Sequence, residues 1–164
     1  MRFRPLLFVV FASLLPLASA QAACADLASK QFDFWVGDWN VSSAGGELLG
    51  RNRVEKVYEG CVLQEHWTGV KGGTGSSFNV YDAARKVWHQ TWVDSTGSLL
   101  VLEGGLREGS MVLSGEQVQA DGKKLLNRIT WTPKDGAVRQ HWESSSDGGK
   151  TWKTVFDGIY RKAG

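Results

Sequence analysis

Three times in this chain a glutamate or glutamine stands two positions ahead of a tryptophan: Glu65 before Trp67, Gln90 before Trp92, and Gln140 before Trp142. Residues two apart share one face of an extended strand, so each pair sets a hydrogen-bonding group beside an indole ring. That combination is odd for a solid apolar core. Aromatic walls with a few convergent polar groups are instead what lines a cavity for a small, partly apolar molecule. Trp67, Trp92 and Trp142 are the expected walls, and Glu65, Asn79, Gln90, Arg128 and Gln140 the expected orienting groups. Glu65 or Arg128 buried alone would be costly, so each needs a partner, a water or a ligand.

A Glu65–Arg128 pair admits two further readings. The two could simply hold the barrel's shape. They could also serve an enzyme, Glu65 as general acid or base and Arg128 as charge stabiliser. The sequence offers no nucleophile–base pair and no second catalytic acid beside them, so no catalytic residue is assigned. A third class of function is an interaction module docking through its outer face or rim. Trp35 and Trp131, out of step with the lining parity, are its expected exposed aromatics.

The elements that must position these residues are short. From about residue 36, runs rich in Val, Trp, Tyr, Phe, Thr and Leu alternate with clusters of Gly, Asp, Asn and Ser. Ten strands are expected, at 36–43, 47–57, 61–70, 75–82, 87–94, 98–104, 110–117, 123–132, 137–145 and 151–162. Asp121-Gly122, Pro133-Lys134-Asp135-Gly136 and Asp147-Gly148-Gly149 are among the separators with turn chemistry. Such short links force antiparallel neighbours. The fold class is therefore all-β, an up-and-down meander closed into a barrel, which removes its edges. Asp26 to Lys30 is expected to form one helical turn capped by Asp26.

The run Phe32-Asp-Phe-Trp-Val-Gly-Asp-Trp-Asn-Val41 opens the folded chain with four large rings. Rings beside a glycine at the start of a strand suit the closed end of a barrel, so this stretch is read as its floor. Gly37-x-Trp39, with Arg161 in the last strand, resembles the calycin pattern of lipocalins and fatty-acid-binding proteins. That resemblance implies that Arg161 covers Trp39. A longer set is similar to a family of small exported bacterial barrels of unknown function: the opening run, Trp88-x-Gln90-x-Trp92-Val93-Asp94, Trp131-Thr132-Pro133, Val138-Arg139-Gln140-x-Trp142-Glu143 and Phe156-Asp157-Gly158-x-Tyr160. It implies fold and compartment. Nitrobindin-type haem barrels share the general architecture. However, His66, His89 and His141 each adjoin a tryptophan and face out if the tryptophans face in, which argues against haem and against a metal centre. Ser145-x-Asp147-x-Gly149-x-Thr151-Trp152 resembles the Asp-box of sialidases; a single copy implies a stable hairpin, not a glycosidase.

The first twenty residues are read as a signal peptide: Arg2 and Arg4, an apolar run from Leu6 to Leu17, then Ala18-Ser19-Ala20, with Ala20-Gln21-Ala22 as the alternative cleavage site. The apolar run is shorter than the ~20 residues of a membrane span, so no permanent anchor is expected. Residues 21–164 are read as one exported domain, periplasmic or extracellular. Without the leader, Lys+Arg falls from 19 to 17, equal to the 17 Asp+Glu. No basic stripe survives, which weighs against a nucleic-acid partner. Cys24 and Cys61 are the two cysteines, and export favours their pairing as a disulfide.

Overall fold

The structure, a computed structural model, describes residues 24–164. The expected leader and both cleavage sites lie outside the described residues. Two 3-10 turns, Ala28–Lys30 and Asp33–Trp35, precede ten strands. These are β1 Gly37–Ser42, β2 Leu48–Val57, β3 Val62–Gly69, β4 Thr74–Asp82, β5 Val87–Asp94, β6 Leu99–Arg107, β7 Ser110–Val118, β8 Lys124–Lys134, β9 Ala137–Ser145 and β10 Lys153–Lys162. Each strand pairs antiparallel with its chain neighbours and β1 pairs with β10, closing an up-and-down barrel. The largest departure from the expected ranges is at β6, which runs on through Gly104 and Gly105 to Arg107.

Alternation along each strand sorts the side chains. Inner-face residues include Leu63 and Glu65 on β3, Trp88 and Gln90 on β5, and Ile129 and Trp131 on β8, all buried. Arg139 on β9 and Asp157 on β10 pair across the outside, with Nη2 and Oδ2 at 2.7 Å. The register slips twice, between Val41 and Ser42 on β1 and between Thr154 and Phe156 on β10.

The opening aromatic run does close one end. Phe32 stacks on Trp35 at 5.0 Å and meets Trp88 and Trp131 edge-on at 5.6 and 5.1 Å. Trp39 Nε1 donates to the Trp35 carbonyl at 2.9 Å. Trp35 and Trp131, expected at the surface, are completely buried in this plug. The first turn starts later than expected, at Ala28 with Leu27 at its N-cap position, and Asp26 Oδ1 reaches in from one residue further back to accept from the Ser29 N–H at 2.7 Å. The Cys24–Cys61 disulfide ties the plug to the turn ahead of β3, with Cα atoms 5.2 Å apart. Closing a loop between cysteines 37 residues apart contributes about 3–4 kcal/mol on a chain-entropy account.

Arg161 does not cover Trp39. The β1–β10 register sets Lys162 opposite Trp39 and Arg161 opposite Asn40, so Arg161 lies on the other face and reaches Ser42 Oγ at 3.3 Å. Lys162 Nζ sits 3.8 Å from the Trp39 ring centroid and donates to the Val36 carbonyl at 2.6 Å. Gly37 makes room for it: its φ is +144°, and a Cβ there would stand 2.0 Å from Nζ. Lys162→Met should therefore cost about 1–2 kcal/mol in urea unfolding, while Arg161→Met stays within about 0.5 kcal/mol. Equal losses would return the covering role to both.

Candidate functional site

Above the plug the barrel is not filled. Glu65, Trp67, Gln90, Trp92, Gln140 and Trp142 line a cavity of about 120 Å³, together with Leu100, Ile129, Phe156 and Tyr160. Six of the eight residues expected from the sequence thus meet in one hollow. Its wall is two-sided. Strands β3, β5, β9 and β10 supply the polar groups, and β6 and β8 supply Leu100 and Ile129.

The polar side is one directional chain of hydrogen bonds. The Leu63 carbonyl can only accept, so the Asn79 amide nitrogen faces it at 3.2 Å. That nitrogen also donates to Ser77 Oγ at 2.9 Å, which leaves the Ser77 hydroxyl proton for Glu65 Oε2 at 2.6 Å. Asn79 Oδ1 in turn accepts from Gln90 Nε2 at 2.7 Å, so the Gln90 oxygen is left to the cavity. Asn52 Nδ2 donates to Glu65 Oε1 at 2.7 Å. The Tyr160 hydroxyl donates to Gln140 Oε1. Asn79, expected in the lining, is the strut behind Gln90 and Ser77.

Glu65 carries the tension of the site. Both its oxygens accept hydrogen bonds, which favours the carboxylate, but burial outweighs them and pushes its pKa up to about 7. Burial, reinforced by the charge of Glu65, also raises the Tyr160 hydroxyl well above its usual range. Asn52 Oδ1 has no hydrogen-bond partner among the described residues. Turning that amide over would bring the oxygen to Glu65, the arrangement a protonated acid requires.

Arg128 is not in the site. On β8 it alternates with the inward Asn127 and Ile129, so it faces out, donates to Glu143 Oε2 at 2.9 Å and lies 4.1 Å from the Trp152 ring centroid. The Glu65–Arg128 pairing, structural or catalytic, is therefore corrected. The histidines also face out: His66 beside Glu55, His89 beside Glu103, and His141 beside Thr154 and Glu143. Asp147 accepts from Ser145 and from the Lys150 and Thr151 amides, and Trp152 Nε1 donates to the Gly149 carbonyl. The Asp-box is thus a self-contained turn at the mouth end.

Sequence reasoning missed Asn52, Ser77, Phe156 and Tyr160. Phe156 and Tyr160 each stand two positions from Gly158, on one face of the last strand, a signal that was there to use. Ser77 lies directly across from Glu65 on β4, which only the register reveals.

The mouth is shaped by rings lying against glycines. A Cβ on Gly50 would stand 2.5 Å from the Trp67 ring, and one on Gly75 would stand 2.2 Å from the Trp92 ring. Phe156 meets Trp67 edge-on at 5.8 Å, and Trp142 Nε1 is fixed on Asn127 Oδ1 at 2.8 Å.

No protein-family model matches the chain, and no curated protein is significantly similar to it in sequence.

Because the folded protein holds the Glu65 proton up to about pH 7 while the unfolded chain releases it near 4.5, this group's contribution to stability falls as pH rises through that window. The full drop is about 3 kcal/mol. Urea unfolding of the native chain and of Glu65→Gln, at pH about 4.5 and about 7.5, should show this slope only in the native chain. Parallel profiles would mean that Glu65 titrates normally.

Proposed function

We propose that the chain is an exported barrel that binds one small, partly apolar molecule between Trp67, Trp92 and Trp142, oriented by Glu65, Gln90 and Gln140. The observation that carries this reading is the two-sided hollow itself. A barrel needing only stability would fill the space above its plug, and here tryptophans and a wired polar arc surround about 120 Å³ instead. That volume suits a molecule of about eight to ten non-hydrogen atoms, part of it at the mouth. Trp39 covered by a last-strand cation, Lys162, supports kinship with calycin-like barrels. The enzyme reading keeps Glu65 in the cavity but loses its charge stabiliser, because Arg128 is outside, and the interaction reading loses its aromatics, because Trp35 and Trp131 are inside the plug.

A small aromatic alcohol, amine and acid, each titrated against intrinsic tryptophan fluorescence, should include at least one that saturates at about one per chain. Leu100→Trp, which fills the apolar side, should abolish that binding with the fold intact by circular dichroism. Absence of binding by every compound, or unchanged binding in the filled variant, would sink the reading.

Export is supported by the Cys24–Cys61 bond, which persists in oxidising compartments. Among the described residues no helix is long and apolar enough to cross a membrane. N-terminal sequencing of the protein from its host's extracytoplasmic fraction should begin at Gln21 or Ala23; an intact Met1 would contradict it.

A further inference from the structure

We propose that the molecule held in this hollow is a small organic cation, its ammonium against Glu65 and its hydrocarbon body between the indoles of Trp67, Trp92 and Trp142. This rests on the binding reading above and names the chemical class.

Neutral groups surround Glu65. From β2 it faces Asn52, from β4 Ser77, from β5 Gln90, from β9 Gln140 and from β10 Tyr160. None of these is a cation, and Tyr160, the one other titratable group lining the cavity among the described residues, stays neutral across the working pH range. The arginine that sequence reasoning put beside Glu65 is on the outside. The carboxylate therefore has no charge partner in its own wall, an arrangement that a ligand cation completes.

The hydrogen-bond wiring favours the same class. Donors run from the Asn79 amide through Ser77 to one Glu65 oxygen, and Asn52 donates to the other, so the wall is set to hold a carboxylate. The Gln90 oxygen, left over when its nitrogen is taken by Asn79, adds an acceptor toward the cavity. Gln140, whose oxygen takes the Tyr160 hydroxyl, leaves its nitrogen as a neutral donor; the charged Glu65 and the Gln90 oxygen still suit a group with several N–H donors and repel an anion. The walls complete the recognition: ring faces attract cations, most strongly when the site is partly closed to water. A neutral aromatic molecule would gain the ring contacts but leave the carboxylate uncompensated.

The experiment compares benzylammonium, benzyl alcohol and benzoate, which share a ring and differ in charge. Affinities come from isothermal titration calorimetry at about pH 8, where Glu65 is mostly ionised and an alkylammonium keeps its proton. Benzylammonium should bind about tenfold or more tighter than benzyl alcohol, and benzoate weakest. Glu65→Gln should erase the advantage of benzylammonium over benzyl alcohol. On the native chain at about pH 6, binding of the amine should release a proton, read from the difference between buffers of unlike ionisation enthalpy. That measurement needs no variant, so a poorly folded Glu65→Gln does not blunt the test. Equal binding of amine and alcohol with no proton release would overturn the cation assignment and leave the binding reading standing. Tighter binding of benzoate would overturn it too. If none of the three binds, the binding reading itself falls.

Discussion

The contact between Phe32 and Trp35 and the inner faces of Trp88 and Trp131 decides what kind of object this barrel is. Full burial of rings this size removes about 150–250 Å² each from water, worth roughly 4–6 kcal/mol per ring. They are carried there by a short segment that would otherwise dangle from β1, and the Cys24–Cys61 bond ties its far end to the turn ahead of β3. With that end filled, the ring of strands becomes a cup and not a tube. The unfilled volume then lies wholly above the plug, and every residue lining it answers to one opening.

Within the cup, Glu65 is the group whose presence stability alone does not explain. A glutamine of the same shape would avoid the desolvation that lifts this carboxyl to about pH 7. The molecule instead surrounds the acid with donors whose direction is fixed from a backbone carbonyl outward, through Asn79 and Ser77. Such wiring lowers the cost of ionisation without removing it. In this buried acid, set in a hollow, burial and hydrogen bonding oppose each other, and groups perturbed in this way cluster at functional sites. It also explains why the wall has a polar arc. Asn79 does not line this cavity, yet without it Ser77 and Gln90 would lose their orientation.

Much of this was legible in the sequence because a strand has only two faces. Glu65-x-Trp67, Gln90-x-Trp92 and Gln140-x-Trp142 needed nothing beyond a period of two, and they met in the cavity. The same rule misled on β8, where the anchoring was wrong by one residue. Taking Arg128 as inward forced Trp131 outward, although Asn127, Ile129 and Trp131 alternate against Arg128, Thr130 and Thr132, whose polarity belongs to the outside. Arg161 and Lys162 differ by one position as well, and only the β1–β10 register separates them. Trp152 and Phe156 share a parity, yet the slip between Thr154 and Phe156 parts them, so that Phe156 lines the cavity while Trp152 lies under Arg128. Ser77 and Asn52 were invisible for a different reason. Small polar residues carry no signal of their own until the neighbouring strands show which carboxylate they face.

The hollow also depends on side chains that are missing. An indole on a narrow barrel's inner face has two ways to lie, across the lumen or folded against the next strand. The second needs room beside the wall, and Gly50 and Gly75 provide it for Trp67 and Trp92. A Cβ at either position would overlap the ring and push it toward the axis, where it would take up the space the cavity now holds. Gly158 does the same for Phe156, whose ring a Cβ there would meet at 2.6 Å. Trp142, with Ile129 opposite, has no such glycine and is held instead by its hydrogen bond to Asn127. The mouth is thus built from large rings laid flat over absent side chains, so its width is set by backbone positions on β2, β4 and β10 that never touch a ligand. On the proposed binding, discrimination by size resides in the glycines and discrimination by charge in Glu65.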